Sequence, residues 1–297
     1  MSHQSRSGPQ PLPSPLVDDG AVRLVARQVS ELMLARGARW QAATGTSRLD
    51  CLLFQVVLSA NLAHLPVTLQ PTGSPPGPRR PISLMAVSQS MHLPYETVRR
   101  RIAHLRARNL VTIGSGGALV PLDALSRAAA AHVALGDSAA FAAALDVLAA
   151  HGYRPARAAL AAGVTAKGNR VQARGLLDFA VRIMENFVPY YGSMIGGTLC
   201  VAIVAANVRH LPSTPGGPIP DDGDRRPVAL RALARTLDLP WETVRRQATA
   251  LVASGMVEMV DGGAIVPTRV LASEAHLRNN HNILIQFDRM LAVLARA

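Results

Sequence analysis

Apolar residues recur along this chain at helical spacing, interrupted by short segments of Pro, Gly and Ser. Val98, Ile102 and Leu105 fall at i, i+4 and i+7, which places them on one face of a helix. Val244, Ala248 and Leu251 repeat the spacing further on. Longer apolar stretches at residues 48–65 and roughly 193–211 predict long helices. The Pro/Gly-rich connections at 66–78 and 212–223 cannot be helical, because Pro removes donors and Gly costs entropy. A short helix is expected from Ser83, a good N-cap residue, to about Met91. The tight turns His92-Leu93-Pro94 and Asp238-Leu239-Pro240 follow, each ending in a Pro that suits the first turn of the next helix. Apolar residues 110–113 and 118–121 flank Ser115-Gly116-Gly117, a hairpin signal, and Asp261-Gly262-Gly263 stands at the same place later. A Leu/Ala-rich helix closes each half, and residues 128–185 read as mostly helical with a break over 152–168.

The same order occurs twice because the sequence itself repeats. Residues 79–121 and 225–267 align without a gap at an offset of 146, and about 20 of the 43 positions are identical. Upstream, Ala60-Asn61 and His64-Leu65-Pro66 recur as Ala206-Asn207 and His210-Leu211-Pro212. Downstream, Phe141, Leu145 and Leu148 match Phe287, Leu291 and Leu294. Two copies at this spacing point to a duplicated domain, since a solenoid needs more and shorter repeats. The expected organisation is a disordered tail over 1–20, a first unit over 21–150, a linker over 151–170 and a second unit over 171–297. The tail is rich in Ser, Pro and Gln and lacks the apolar stretch of a secretory leader.

Helix, short strand, helix, tight turn, helix and hairpin form the winged helix-turn-helix order. The stretch from Leu93 to Val111, followed by Ser115-Gly116-Gly117, resembles bacterial transcriptional regulators of the GntR, MarR and IclR type. The resemblance covers roughly 45 residues in each copy and includes the triplets Thr97-Val98-Arg99 and Thr243-Val244-Arg245. It implies a mainly α fold with small β-hairpin wings, and a third helix that enters the major groove of double-stranded DNA. Thr97, Arg99, Arg100 and His104, with Thr243, Arg245 and Arg246 in the second copy, would then meet DNA. At 100° per residue these positions also lie opposite the apolar face. Arginine also suits bidentate contact with guanine edges and phosphates. Arg79-Arg80 and Arg225-Arg226, before the short strand, could clamp phosphates or simply solubilise the Pro-rich loop. Tyr95 and Trp241 are expected to pack under the turn, and Glu96 and Glu242 to act as first-turn capping groups.

Charge changes this picture only in detail. The net charge is +12, about +6 in each half, and the basic residues are arginine except for Lys167. A basic protein is drawn to polyanions, nucleic acid first. The hairpin turns carry no Lys or Arg, and the second hairpin carries Glu258 and Asp261. Around the third helix the first copy adds Arg101, His104, Arg106 and Arg108, where the second has Gln247, Ala250, Val252 and Ser254. The first copy is therefore expected to be the stronger reader.

Residues 186–208 hold no charged side chain and are long enough to span a bilayer, with Gly192 and Gly196 at small-residue packing distance. Their later half aligns with 53–62, which argues for a packed helix at a domain or homodimer interface instead. Cys51 and Cys200 stand alone in apolar stretches, as buried thiols in a reducing cytosol would. No phosphate loop, nucleophile elbow or metal-ligand spacing is present, so neither an enzyme nor a cofactor is expected. The expected function is a cytoplasmic, nucleoid-associated DNA-binding regulator with no membrane role. The alternatives are a tandem winged-helix scaffold similar to chromosome-segregation adaptors, or a replication initiator.

Overall fold

The Ala/Leu bias and the apolar periodicity produce a mainly helical chain with two small antiparallel hairpins. The computed structural model describes residues 19–65, 79–124, 136–166, 169–212 and 215–297. Residues 1–18 of the expected tail and the connection 66–78 lie outside the described residues.

The first half opens with α1 (Asp19–Thr44) and α2 (Arg48–Leu62), and Ser47 caps α2 by accepting from the Asp50 amide. Next come α3 (Leu84–Met91) and α4 (Tyr95–Ala107). Ser83 is the N-cap of α3, as its side chain suggests. His92 closes α3 in the left-handed conformation (φ 49°), and Leu93 N–H donates back to Ser88 at 3.1 Å. The chain thereby turns into α4 within three residues. Strands β1 (Thr112–Gly114) and β2 (Gly117–Leu119) follow, with Thr112 opposite Leu119 and Gly114 opposite Gly117. Ile82 bridges to Ala118 as a third, one-residue strand.

The same sequence of elements returns after α5 (Asp137–Ala150), α6 (Arg154–Ala161), α7 (Asn169–Glu185) and α8 (Phe187–Tyr191). It comprises α9 (Met194–Val208), α10 (Leu230–Thr236), α11 (Trp241–Ala253), β3 (Glu258–Val260) and β4 (Gly263–Ile265). Asp238 takes the left-handed position of His92, and Val228 bridges to Ala264. The chain ends in α12 (Thr268–Leu271) and α13 (Glu274–Arg296).

One glycine position in each hairpin is set by this third strand. Gly117 has φ 115° and Gly263 has φ 143°. A Cβ at Gly117 would lie 2.2 Å from the Ile82 carbonyl oxygen, and one at Gly263 would lie 2.4 Å from that of Val228. Only glycine permits both that φ and that approach.

The stretch expected as a linker carries a packed helix. Within 151–170 the chain forms α6, with Ala156 and Ala159 buried, followed by the buried Val164. Tyr153 is buried too, and its hydroxyl donates to Asp288 on α13 at 2.5 Å. The small side chains let α6 lie close on α5 and α13.

The apolar core does not divide at the repeat boundary either. One cluster runs from Leu53, Val98, Ile102 and Leu105 through Val181 to Leu199, Val244 and Leu251. A second joins α1, α5, α6, α7 and α13 around Val25, Phe141, Phe179 and Phe287. Contacts between the halves are reciprocal. Helix α1 packs on α9, and its counterpart α7 packs on α2. Helix α1 packs on α13, and α7 on α5. Such exchange is the signature of an isologous two-fold contact, here made within one chain.

Among the described residues no single helix is long and apolar enough to cross a membrane. The uncharged stretch at 186–208 breaks between α8 and α9, with a 93° bend. Helix α9 is largely buried, as are both free cysteines.

Candidate nucleic-acid interface

Helix α4 is held from below by Val98, Ile102 and Leu105, all essentially buried. Its opposite face is exposed and carries Arg99, Arg100 and Arg106. Helix α11 repeats this with Val244, Ala248 and Leu251 below and Arg245 and Arg246 above. Thr97 and Thr243 are half-buried at the helix starts.

The two arginines of each pair differ. Arg99 is bound to Glu96 at 2.8 Å, and Arg245 to Glu242 at 2.6 Å. The salt bridge holds the Glu242 carboxyl below its usual range and the Arg245 guanidinium above it. These glutamates therefore tether the neighbouring arginine and are not the expected capping groups; Pro94 and Pro240 hold the cap positions. Arg100 and Arg246 are exposed and make no ion pair with the described residues.

The arginines before the short strand also separate. Arg80 and Arg226 are exposed. Arg79 Nη1 donates to the Val120 carbonyl, which ties the approach segment to the hairpin, and burial lowers its pKa. Arg225 is only 4% exposed, donates to Pro220 O at 2.7 Å and lies 3.4 Å from Asp222. Phosphate clamping by Arg225 is thus corrected: it is a buried strut, because α12 and the Asp222–Asp224 turn close over it.

His104 is half-exposed but engaged. Its Nδ1 lies 2.9 Å from Asp50 Oδ2, while Arg101 reaches Asp50 Oδ1 at 3.5 Å and Ser47 Oγ at 3.3 Å. Arg108 donates to the carbonyls of Gly45 and Thr44, at the C-terminal end of α1. Of the four basic residues that distinguish the first copy, Arg106 is exposed with no ion pair to the described residues, while His104 and Arg108 are exposed but engaged. The second copy replaces the Asp50 cluster with a single hydrogen bond, Ser193 Oγ to Gln247 Oε1 at 2.6 Å.

Tyr95 is 41% exposed, which corrects its expected packing under the turn. Trp241 is half-buried, with the Arg231 guanidinium 4.5 Å above its ring.

Sequence reasoning passed over the residue that fixes each hairpin against its helix. Asn61 is fully buried on α2. Its Nδ2 donates to Arg80 O at 2.8 Å and Ala118 O at 3.1 Å, and its Oδ1 accepts from Val120 N–H at 2.8 Å. Asn207 makes the same three bonds to Arg226, Ala264 and Val266. The signal was available, since an Asn repeating within an apolar helix requires buried partners.

No metal-binding cluster occurs among the described residues. Comparison with known proteins returns no match: no family model, no curated protein and no solved structure is similar enough to this chain to place it.

Proposed function

We propose that this chain is a sequence-specific DNA-binding transcriptional regulator made of two winged helix-turn-helix units. Helices α4 and α11 are its recognition helices, entering the major groove of double-stranded DNA. The observation that carries this reading is the pair Arg100 and Arg246. They hold equivalent positions on the exposed faces of the two third helices, and neither makes an ion pair with the described residues, although Arg246 still feels the Glu242 carboxylate. An unpaired guanidinium on a helix of this kind is suited to guanine edges or phosphate. The reciprocal packing of the halves favours a site with two half-sites related by approximate inversion. The first copy is the stronger reader, because Arg106 extends the face of Arg99 by two turns where the second copy has Val252.

The test is selection of genomic fragments by the full chain, followed by affinity measurement across salt. Binding should fall steeply from about 50 mM to about 200 mM salt. Arg100→Ala should weaken binding about tenfold or more, and more than Arg246→Ala. No salt-sensitive retention of any fragment would end the proposal.

A scaffold function is favoured by one observation. The hairpins expose Ile113, Met259 and Val260 and present no basic side chain, which suits a protein surface better than phosphate. A stable complex with a protein, without DNA affinity at low salt, would select it.

A further inference from the structure

A cavity of about 70 Å³ lies where α1 and α2 of the first half meet α7, α8 and α9 of the second. Four pairs of lining residues are related by the 146-residue offset: Leu34 with Ala180, Gly37 with Ile183, Leu52 with Thr198, and Gln55 with Val201. The cavity therefore straddles the line about which the two halves are related.

Its walls are mostly apolar, but two buried arginines line it. Arg36 is 2% exposed and Arg48 is 4% exposed. Arg36 Nη1 donates to Gln55 Oε1 at 2.6 Å, and its Nε lies 3.5 Å from Asp137 Oδ2. Its Nη2 has no hydrogen-bond partner among the described residues, nor have Nε and Nη2 of Arg48. The Arg48 group fits against α1 because residue 37 is glycine; a Cβ there would lie 1.6 Å from Nη1. Burial lowers the Arg36 pKa to about 10 and lowers that of Arg48, with Cys51 and Asp238 offsetting part of the second shift. Asp137, the nearest carboxylate to Arg36, is already shared with Arg39 at 2.5 Å. Buried donors on a cation call for an acceptor, and an anion is the best one. The counterparts of Arg36 and Arg48 are the exposed Arg182 and the apolar Met194, so the positive charge lies on one side only.

We infer that this cavity binds one small carboxylate with a short apolar body, its oxygens on Arg36 and Arg48. A water needs roughly 10–15 Å³ of such space, so the cavity admits about five non-hydrogen atoms. Phosphate has a similar size, but its further oxygens would face apolar walls unpaired. Occupancy would set the spacing of the two halves. That consequence for DNA rests on the function proposed above, whereas the binding itself does not.

The test is thermal unfolding of the full chain with propionate, propionamide, inorganic phosphate or chloride at matched ionic strength. Propionate should raise Tm by about 3 °C at saturation and the other three should not. Arg48→Met, which installs the residue of the second half, should fold and lose the rise. A rise equal for propionamide or chloride, no rise with propionate, a rise with phosphate alone, or an unchanged rise in folded Arg48→Met would overturn the inference. Should Arg48→Met fail to fold, the comparison of propionate with its neutral amide decides on the unaltered chain.

Discussion

His104 Nδ1 and Asp50 Oδ2 lie 2.9 Å apart, and the Asp50 carboxylate has no exposed surface. This contact binds α4 to the first turn of α2. At the equivalent positions the second half has Gly196 and Ala250, so the two halves hold the same helix by different chemistry.

Asp50→Ala removes the acceptor shared by Ser47, Arg101 and His104. It should lower stability by about 2–4 kcal/mol in urea unfolding, since buried donors lose their partner. His104→Ala, at a half-exposed site, should cost about 1 kcal/mol. A loss within ~0.5 kcal/mol for Asp50→Ala would mean that the apolar face alone holds α4.

The two hairpin glycines Gly114 and Gly117 should respond in opposite ways. Gly117→Ala drives a Cβ toward the Ile82 carbonyl and should cost about 2 kcal/mol or more. Gly114 faces open space and has no positive φ, so Gly114→Ala should be neutral or stabilise by up to about 1 kcal/mol. Equal effects in thermal melts would contradict the three-strand arrangement.

Glu96→Gln should release Arg99 from its 2.8 Å contact and remove a negative charge from the open face. If α4 reads DNA, affinity should rise by about three- to tenfold, with a steeper salt dependence. Fluorescence anisotropy on a selected fragment measures both. Unchanged or weaker binding would place α4 away from the nucleic acid.

Burial holds the His276 pKa down at about 4, against an ordinary 6.5. The unfolded chain therefore takes up this proton first as pH falls. Its contribution to stability is full above about pH 6.5 and is lost progressively toward about pH 4. The ring is partly exposed and touches Tyr190 Oη at 3.1 Å, so the loss is a modest one. His276→Gln should narrow the gap between urea midpoints at about pH 7 and about pH 5. An identical gap in both chains would show that other groups set the acid limb.

Periodicity located the helices that make up the repeats, because Val98, Ile102 and Leu105 are spaced as a buried stripe must be. The hairpins were legible through Gly116-Gly117 and Gly262-Gly263. Helix α6 was hidden because its buried positions are alanines, Ala156 and Ala159, in a Gly- and Pro-punctuated stretch. The burial of Arg225 and the pairing of His104 and Arg108 were hidden for another reason. Asp50 and Gly45 are brought up by tertiary contact, and although Asp222 stands only three residues from Arg225, it is Thr268 of α12 that closes over the pair. The burial of Arg36 and Arg48 is likewise a product of tertiary packing.

The reciprocal packing of α1 on α9 and α7 on α2 has a consequence for how the molecule can change. In an assembly of two identical subunits, every substitution appears twice, and neither partner can be altered alone. A chain that carries both partners is released from that constraint, and it cannot come apart on dilution. Asp50 facing a glycine counterpart, and Arg48 facing a methionine, show the freedom in use. One half can specialise while the other keeps the shape that holds it in place.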